Sequence, residues 1–245
     1  MKKLRLDVLL VEKGLFPTRA KAQAAVMAGK VRLPGKPAPK PGTPVSPDDA
    51  VEVLADACPY VSRGGLKLRA ALDAFAVDPR GRTALDLGAS TGGFTDCLLQ
   101  AGAAKVYAVD VGHGQLDARL RGDPRVVCME KTHARDLSPA LFSPPPDLAV
   151  VDVSFISLTK VLAPLAACLA GRGEIVALVK PQFELEASKT PKGIVRLEEH
   201  RREALERVRA HAASLGLREG GFIECPVAGA KGNREFLWHG HKGFC

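Results

Sequence analysis

The chain has 245 residues, 46% of them apolar, which suffices for one large or two small domains with a real core. The formal net charge is +8, and no apolar run approaches the roughly 20 residues that cross a bilayer, so a membrane-spanning helix is excluded. The six cysteines show no C-x-x-C spacing, and Asp7 and Glu12 interrupt the basic start; the composition points away from a disulfide framework, a zinc site and a signal peptide, and toward a reduced cytoplasm.

Charge is concentrated at the N-terminal end, where residues 1–69 carry 13 basic and 6 acidic side chains, a net of +7. There, Leu6, Leu9 and Leu10 before Lys13-Gly14 predict a short helix with a glycine stop. Residues 18–29 predict a second helix, capped by Thr18, with Ala22, Ala25 and Val26 as its apolar stripe. Residues 30–33 alternate like a strand, a turn-rich segment runs from Pro34 to Pro47, and residues 50–54 predict another short strand. A small α+β domain with a local basic excess has the electrostatic footprint of a phosphate-contacting surface, although a merely well-charged small domain shares that composition.

The residues Arg5-Leu6-Asp7-x-Leu9-Leu10, Arg19-x-x-Ala22, Gly29-x-Val31 and Lys40-Pro41-Gly42 resemble the S4-type RNA-binding module of ribosomal proteins. Thr18 stands where serine is common, and Leu33-Pro34-Gly35 replaces the usual asparagine-glycine turn. The resemblance implies that Arg5, Arg19, Lys21, Lys30 and Lys40 face RNA phosphates. The module is expected over residues 1–57, with a linker at 58–61 stiffened by Pro59 and a second domain over 62–245.

The second domain opens with a helix from Ser62, the candidate cap, whose buried stripe is Leu68, Ala71, Leu72 and Phe75; Lys67 lies off that stripe. Then comes Ala84-Leu-Asp86-Leu-Gly88-Ala-Ser90-Thr-Gly92-Gly93-Phe94, an apolar strand with a carboxylate and a glycine-rich turn that feeds a helix N-terminus. Such a turn lets backbone approach a nucleotide-like ligand, and Asp86 at the strand's end can accept hydrogen bonds. The next strand ends in Asp110, about twenty residues after the glycines, where a ribose diol needs a carboxylate acceptor. Adenosine is therefore the expected ligand class. Strands at 126–129, 147–152 and 174–180, a long helix at 196–215 with Leu205, Val208 and Ala212 inward, and tail strands at 221–225 and 235–238 complete an α/β, Rossmann-like domain with a mostly parallel seven-stranded sheet.

Ligands of such a sheet sit beyond the carboxyl ends of its strands, which here carry Asp86, Asp110, Asp152 and Lys180. Charges straight after apolar strands seldom serve packing, which marks Asp152 and Lys180 for chemistry. A nicotinamide enzyme would want a His or Tyr acid near the ring, and only His133 follows a strand. Asp152-Val-Ser154-Phe155 lacks the two prolines before an aromatic that mark methyltransferases acting on adenine amines, so a hydroxyl acceptor fits a methyl-donor site better. A ribose hydroxyl is a weak acid and needs a positioned base. Lys180 qualifies if Lys67, a donor sulfonium and a water-poor cleft disfavour its ammonium; Asp152 and Glu235 would orient the lysines and oppose that effect, leaving the balance open.

Lys67 in Ser-Arg-Gly-Gly-Leu-Lys, Asp152 in Asp-Val-Ser-Phe-Ile-Ser, Lys180 in Val-Lys-Pro-Gln-Phe-Glu and Glu235 in Gly-Asn-Arg-Glu-Phe-Leu-Trp occur in the order K-D-K-E. With the glycine turn and the basic head, the chain resembles the TlyA family of FtsJ-like RNA ribose methyltransferases over nearly its whole length. The resemblance implies a Rossmann-like methyltransferase that moves a methyl group from S-adenosylmethionine to the ribose 2'-hydroxyl of a cytidine in 23S rRNA, some family members also modifying 16S rRNA. It implies a catalytic tetrad of Lys67, Asp152, Lys180 and Glu235, with Lys180 as base and Asp152 near the donor methyl. Asp86, Gly88, Ala89, Ser90, Thr91, Gly92, Gly93, Phe94, Asp110, Val111 and Thr132 would hold the cofactor, and Arg63 would join the RNA-binding set. No metal is implied, and the partner is ribosomal RNA or a ribosomal subunit rather than a membrane. Because the chain stops at Cys245, soon after its last strand, it is expected in the family's shorter class, which acts on 23S rRNA alone.

Two other readings stand beside the enzyme. Family members are also labelled haemolysins, but the helix at 196–215 is the single candidate for a pore, and its Glu198, Glu199, Glu203 and Glu206 mixed with arginines read as a solvated surface. A non-catalytic RNA-binding assembly factor on the same fold is the third reading, and the intact tetrad argues against it.

Overall fold

The computed structural model describes residues 3–16, 18–27, 30–35, 37, 39–53 and 58–243. Gly29 of the head motif, Leu54 of the last head strand, Asp56 and Ala57 before the linker, and Cys245 lie outside the described residues. The chain divides into two units, Met1–Pro59 and Tyr60–Cys245.

In the first unit, helices α1 (Leu6–Glu12) and α2 (Arg19–Met27) pack their leucine and alanine stripes together. Leu6, Leu9, Leu10, Ala22, Ala25, Val26, Val31, Leu33 and Val45 form its core. Thr18 caps α2 as expected, its Oγ1 accepting the Lys21 N–H at 3.3 Å. The strands are only two residues each and pair at long range: β1 (Leu4–Arg5) runs antiparallel to β3 (Pro44–Val45), and β2 (Val31–Arg32) antiparallel to β4 (Glu52–Val53). The segment expected to be turn from Pro34 to Pro47 thus contains a strand; Val45 enters the core opposite Leu4, and a two-residue strand has too few alternations to announce itself.

The second unit runs α3 (Gly64–Phe75), β5 (Thr83–Leu87), α4 (Gly93–Gln100), β6 (Lys105–Val109), α5 (Ala118–Arg121), β7 (Val126–Met129), β8 (Leu148–Val151), α6 (Leu162–Cys168), β9 (Glu174–Val179), α7 (Pro181–Glu184), α8 (Glu198–Ser214), β10 (Arg218–Glu224) and β11 (Phe236–His241). The seven strands lie in the order β10-β11-β9-β8-β5-β6-β7, with β5 to β9 mutually parallel and the last hairpin antiparallel. Strand parity separates two core layers. Leu85, Leu87, Ile175, Ala177 and Val179 face α6 and α8, whereas Ala84, Val176 and Leu178 face α3 and α4. Ser62 lies one residue further from its helix than a cap would, yet its Oγ accepts the Gly64 N–H at 3.3 Å.

The reversed strand positions the chemistry. Since Phe236 at the start of β11 pairs with Val179 at the end of β9, Glu235 and Lys180 both lie at the carboxyl edge of the sheet. The long helix α8 buries Ala204, Leu205, Val208 and Ala212 and leaves its glutamates outward. Among the described residues, no helix is long and apolar enough to cross a membrane.

Candidate active site

β5 has β6 on one side and β8 on the other, so the chain departs from it in opposite directions and a crevice opens beyond its carboxyl end. Gly88 enters that crevice with φ +88°, and its N–H donates to the Val109 carbonyl at 2.8 Å. A Cβ there would lie 2.6 Å from the Asp152 carbonyl oxygen, so only glycine lets the turn pass directly beside the charged end of β8. The turn is tied to the next strand by Asp110, whose Oδ2 accepts the Ser90 N–H at 2.8 Å and Oδ1 the Gly112 N–H at 2.7 Å. Each oxygen keeps a further lone pair, the acceptor capacity a ribose diol requires.

Two adjoining cavities share Gly88, Ser90, Asp152 and Ser154. The smaller, of about 350 Å³, is walled by Arg63, Lys67, Ala89, Thr91, Gly93, Phe94 and Lys180 among others. The larger cleft takes in Asp110, the exposed Val111, His133 and Phe155.

The K-D-K-E residues meet as two ion pairs. Lys67 Nζ lies 2.6 Å from Glu235 Oε2, with side chains 11% and 2% exposed. Lys180 Nζ lies 2.6 Å from Asp152 Oδ1 and donates to Ser154 Oγ at 2.8 Å. Four charges in two pairs, one buried and one partly buried, sum to zero, which keeps opposite partners close where burial of a lone charge would be costly. Lys67 is thus off the apolar stripe of α3 yet buried, because Glu235 receives it. Three of the four, Lys67, Asp152 and Lys180, border the same small cavity as the glycine turn.

Three expected cofactor contacts are placed elsewhere. Asp86 lies in the middle of the buried parity that faces α4, fully buried, with Thr95 Oγ1 donating to its Oδ2 at 2.6 Å. Burial pushes its carboxyl up to about 7, opposed by the Thr95 hydrogen bond. It supports the turn from beneath rather than bordering either cavity. Gly92 faces the side chains of Leu116 and Leu120, and Thr132 turns its hydroxyl to the Glu130 carbonyl at 3.3 Å, while His133 and Ala134 take the place at the cleft.

In the head, Lys21 and Lys40 are exposed and Lys30 half-buried, and in the second unit Arg63 is exposed. Arg5 and Arg19 are each about half exposed, at 51% and 54%. Both also bind the buried Asp7: Arg5 through Nε at 3.1 Å and Nη2 at 3.0 Å, Arg19 through Nε at 3.0 Å, with Gln23 Nε2 donating at 2.7 Å. The Arg5 hydrogen bonds hold the Asp7 carboxyl well below the usual carboxylate range. These arginines therefore anchor the head's fold while presenting guanidinium edges outward.

Several neighbours of the site carry little local signal in the sequence. Ser154 follows Asp152 by two residues, a spacing that could have drawn notice. Glu184, 3% exposed, accepts the Ser157 hydroxyl at 2.5 Å and the Leu158 N–H at 2.8 Å, and so holds the segment after Asp152 in place. Asn233 accepts the Val195 N–H at 3.0 Å and donates to Gly193 and Ala230 carbonyls at 2.9 and 3.1 Å, which sets the loop that delivers Glu235.

A seven-stranded sheet with a reversed final hairpin, carrying a nucleoside-sized crevice and a charged set at one edge, is the α/β methyltransferase class. The FtsJ-like methyltransferase family matches residues 60–242, and the S4 domain family matches residues 4–51. The chain is 47% identical over 240 residues to the 16S/23S rRNA (cytidine-2'-O)-methyltransferase TlyA of Mycobacterium tuberculosis, covering 97% of this chain and 90% of that protein. It is 40% identical to Hemolysin A of Brachyspira hyodysenteriae, covering 96% of this chain and 99% of that protein. A solved structure described as a hemolysin from Streptococcus thermophilus is 44% identical with a TM-score of 0.79, covering 99% of this chain and 90% of the other. The chain belongs to the TlyA branch of the FtsJ-like methyltransferase family, with an S4 domain ahead of the catalytic fold.

Proposed function

We propose that this protein is an S-adenosylmethionine-dependent rRNA methyltransferase that modifies the ribose 2'-hydroxyl of a cytidine. The observation that carries the reading is the shared cavity, in which the glycine turn and the charges of Lys67, Asp152 and Lys180 border one space. The residues present suit a nucleoside cofactor: a turn without room for a Cβ at Gly88, a carboxylate with spare lone pairs at Asp110, and an apolar surface at Val111 beside it. Gly88, Ala89, Ser90, Thr91, Gly93 and Phe94 would hold it together with Asp110 and Val111, with Asp86 and Gly92 supporting the turn from behind. When bound, S-adenosylmethionine supplies an electrophilic methyl group on a sulfonium.

The chain's own residues then have separable tasks. Lys180 Nζ, steered by Asp152 Oδ1 and Ser154 Oγ, first gives up one ammonium proton to solvent, and the resulting amine takes the proton from the ribose hydroxyl as that oxygen becomes the nucleophile. Lys67 stays charged against Glu235 and orients the hydroxyl from the opposite wall. The electrostatic benefit comes from groups fixed before substrate arrives, so little reorganisation accompanies the reaction.

We assign RNA capture to residues 1–57, joined by 58–61 to the catalytic part at 62–245, with Arg5, Arg19, Lys21, Lys30, Lys40 and Arg63 touching phosphates. The partner is ribosomal RNA, free or in a subunit, and the setting is cytoplasmic. The deciding experiment transfers labelled methyl from S-adenosylmethionine to isolated 23S and 16S RNA and to assembled subunits, then maps the modified nucleotide. Label on a cytidine ribose is expected; label on a base, or none on any RNA, would refute the reading.

A further inference from the structure

At the edge of the sheet opposite the active site, three potential metal ligands converge. Glu174 is the first residue of β9 and pairs across the ladder with His241, the last of β11, while His239 lies two residues earlier on the same face. One ligand atom from each of the three residues lies within 4.8 Å of the others. β9 spans six residues, which separates this group from Lys180 by about 20 Å along the strand.

The contact between His239 and Glu174 is a loose ion pair. His239 is 5% exposed, and its Nε2 has no hydrogen-bond partner. Its nearest acid, Glu174 Oε2, is 3.5 Å away, long for a hydrogen bond. Two ligands of one tetrahedral zinc ion, each about 2.0–2.1 Å from the metal, stand about 3.3 Å apart. The observed 3.5 Å is close to that spacing.

The surroundings already have the form of a supporting shell. Arg82 Nη1 lies 3.3 Å from the other carboxylate oxygen, Glu174 Oε1, and is itself fixed by Nε donating to Asp147 Oδ1 at 3.1 Å. Oε2 is thereby turned toward the histidines, as a ligating carboxylate is commonly oriented by a hydrogen bond on its far oxygen. Phe75 stacks on His239 with centroids 5.2 Å apart and planes 20° from parallel, which sets the imidazole plane. On β10 the register slips between Glu219 and Gly221. At Gly220, in that bulge, a Cβ would lie 2.4 Å from His239 Nδ1 and 2.9 Å from His241 Nε2, so the missing side chain makes room for both rings.

We propose that Glu174, His239 and His241 form a divalent-cation site, fitted to zinc, that pins the antiparallel hairpin to the parallel sheet. Two imidazoles and a carboxylate favour zinc over magnesium or calcium, which prefer all-oxygen shells, and water completes the fourth position. Cysteine spacing gives no sign of this site, and the His-x-His pair gains its third member only through strand pairing.

The test uses the full-length protein stripped with EDTA and dialysed. Wild type should take up about one zinc per chain and gain about 5–10 °C in melting temperature at a hundredfold excess over Kd. Cobalt substitution should give visible d–d bands without thiolate-to-cobalt charge transfer. His241→Ala and Glu174→Gln should each lose the stoichiometric uptake and the thermal shift, while melting in EDTA near the wild-type temperature. If a variant fails to fold, the cobalt spectrum of the wild type still decides, because thiolate charge transfer would place the ion on cysteines. Absence of stoichiometric uptake, or uptake retained in both variants, overturns the proposal and leaves a metal-free cluster of Glu174 with Arg82 and His239.

Discussion

Replacement of Glu235 by glutamine tests whether the Lys67–Glu235 pair is chemistry built into the core or only a structural tie. Glu235→Gln removes the charge that Lys67 Nζ meets at 2.6 Å while keeping the shape. With side chains 11% and 2% exposed, the stranded ammonium has little water to turn to. Breaking a buried pair from one side costs about 3–5 kcal/mol. For a unit the size of Tyr60–Cys245, that corresponds to a fall in melting temperature on the order of 10 °C. Lys67→Met combined with Glu235→Gln removes both charges and should recover stability to within about 1–2 kcal/mol of wild type, because no buried charge is left unpaired. Methyl transfer should be lost in the single and the double variant alike. The measurements are thermal unfolding by circular dichroism and transfer of labelled methyl to rRNA. A double variant no more stable than the single one would refute the buried-charge account, and normal transfer in the double variant would remove the pair from catalysis.

Lys180→Ala should abolish methyl transfer yet leave S-adenosylmethionine affinity, measured by calorimetry, nearly unchanged; normal turnover would dismiss Lys180 as the base. Gly88→Ala should weaken cofactor binding by tenfold or more, about 1.4 kcal/mol, since the new methyl group would lie 2.6 Å from the Asp152 carbonyl at a φ of +88°; unaltered affinity would show that the turn can retreat. Asp86, pushed up to about 7 by burial, holds a proton in the folded protein that the unfolded chain releases near pH 4. It therefore weakens the fold progressively as pH rises from about 4 to about 7 and no further above, and Asp86→Asn should flatten that part of a urea-stability profile. Equal slopes for the two proteins would contradict the sign. Arg19→Ala should weaken RNA binding and reduce its salt dependence by about one counterion, and it should also lower head stability through Asp7; an unchanged salt slope confines Arg19 to the Asp7 network.

Much of this molecule can be read locally. The parallel strands of the second unit are largely apolar runs of four to six residues, so Asp152 and Lys180 stood out as charges straight after the ends of two of them. The two-residue head strands carried no periodicity, and the pairing of Leu4 with Val45 could not be seen from either sequence alone. Asp86 does lie near the end of β5, but the burial of its side chain against Thr95 of α4 was not legible locally, because it depends on which layer the helix packs. Glu184 and Ser154 were missed because each acts through a partner distant in sequence, 26 residues away for both Glu184–Leu158 and Lys180–Ser154.

The sequence by itself determined the strands of the second unit, the glycine turn and the kinds of charge at the strand ends, since these follow from side-chain alternation and backbone freedom within a few residues. Only the tertiary structure decided which charges meet. Lys67 and Glu235 are 168 residues apart, and they touch because β11 runs back against β9 and α3 lies over that edge. The same reversal brings Glu174 opposite His241 at the other edge. Register across a sheet is set by packing of the whole layer, a cooperative property that no short window of residues contains.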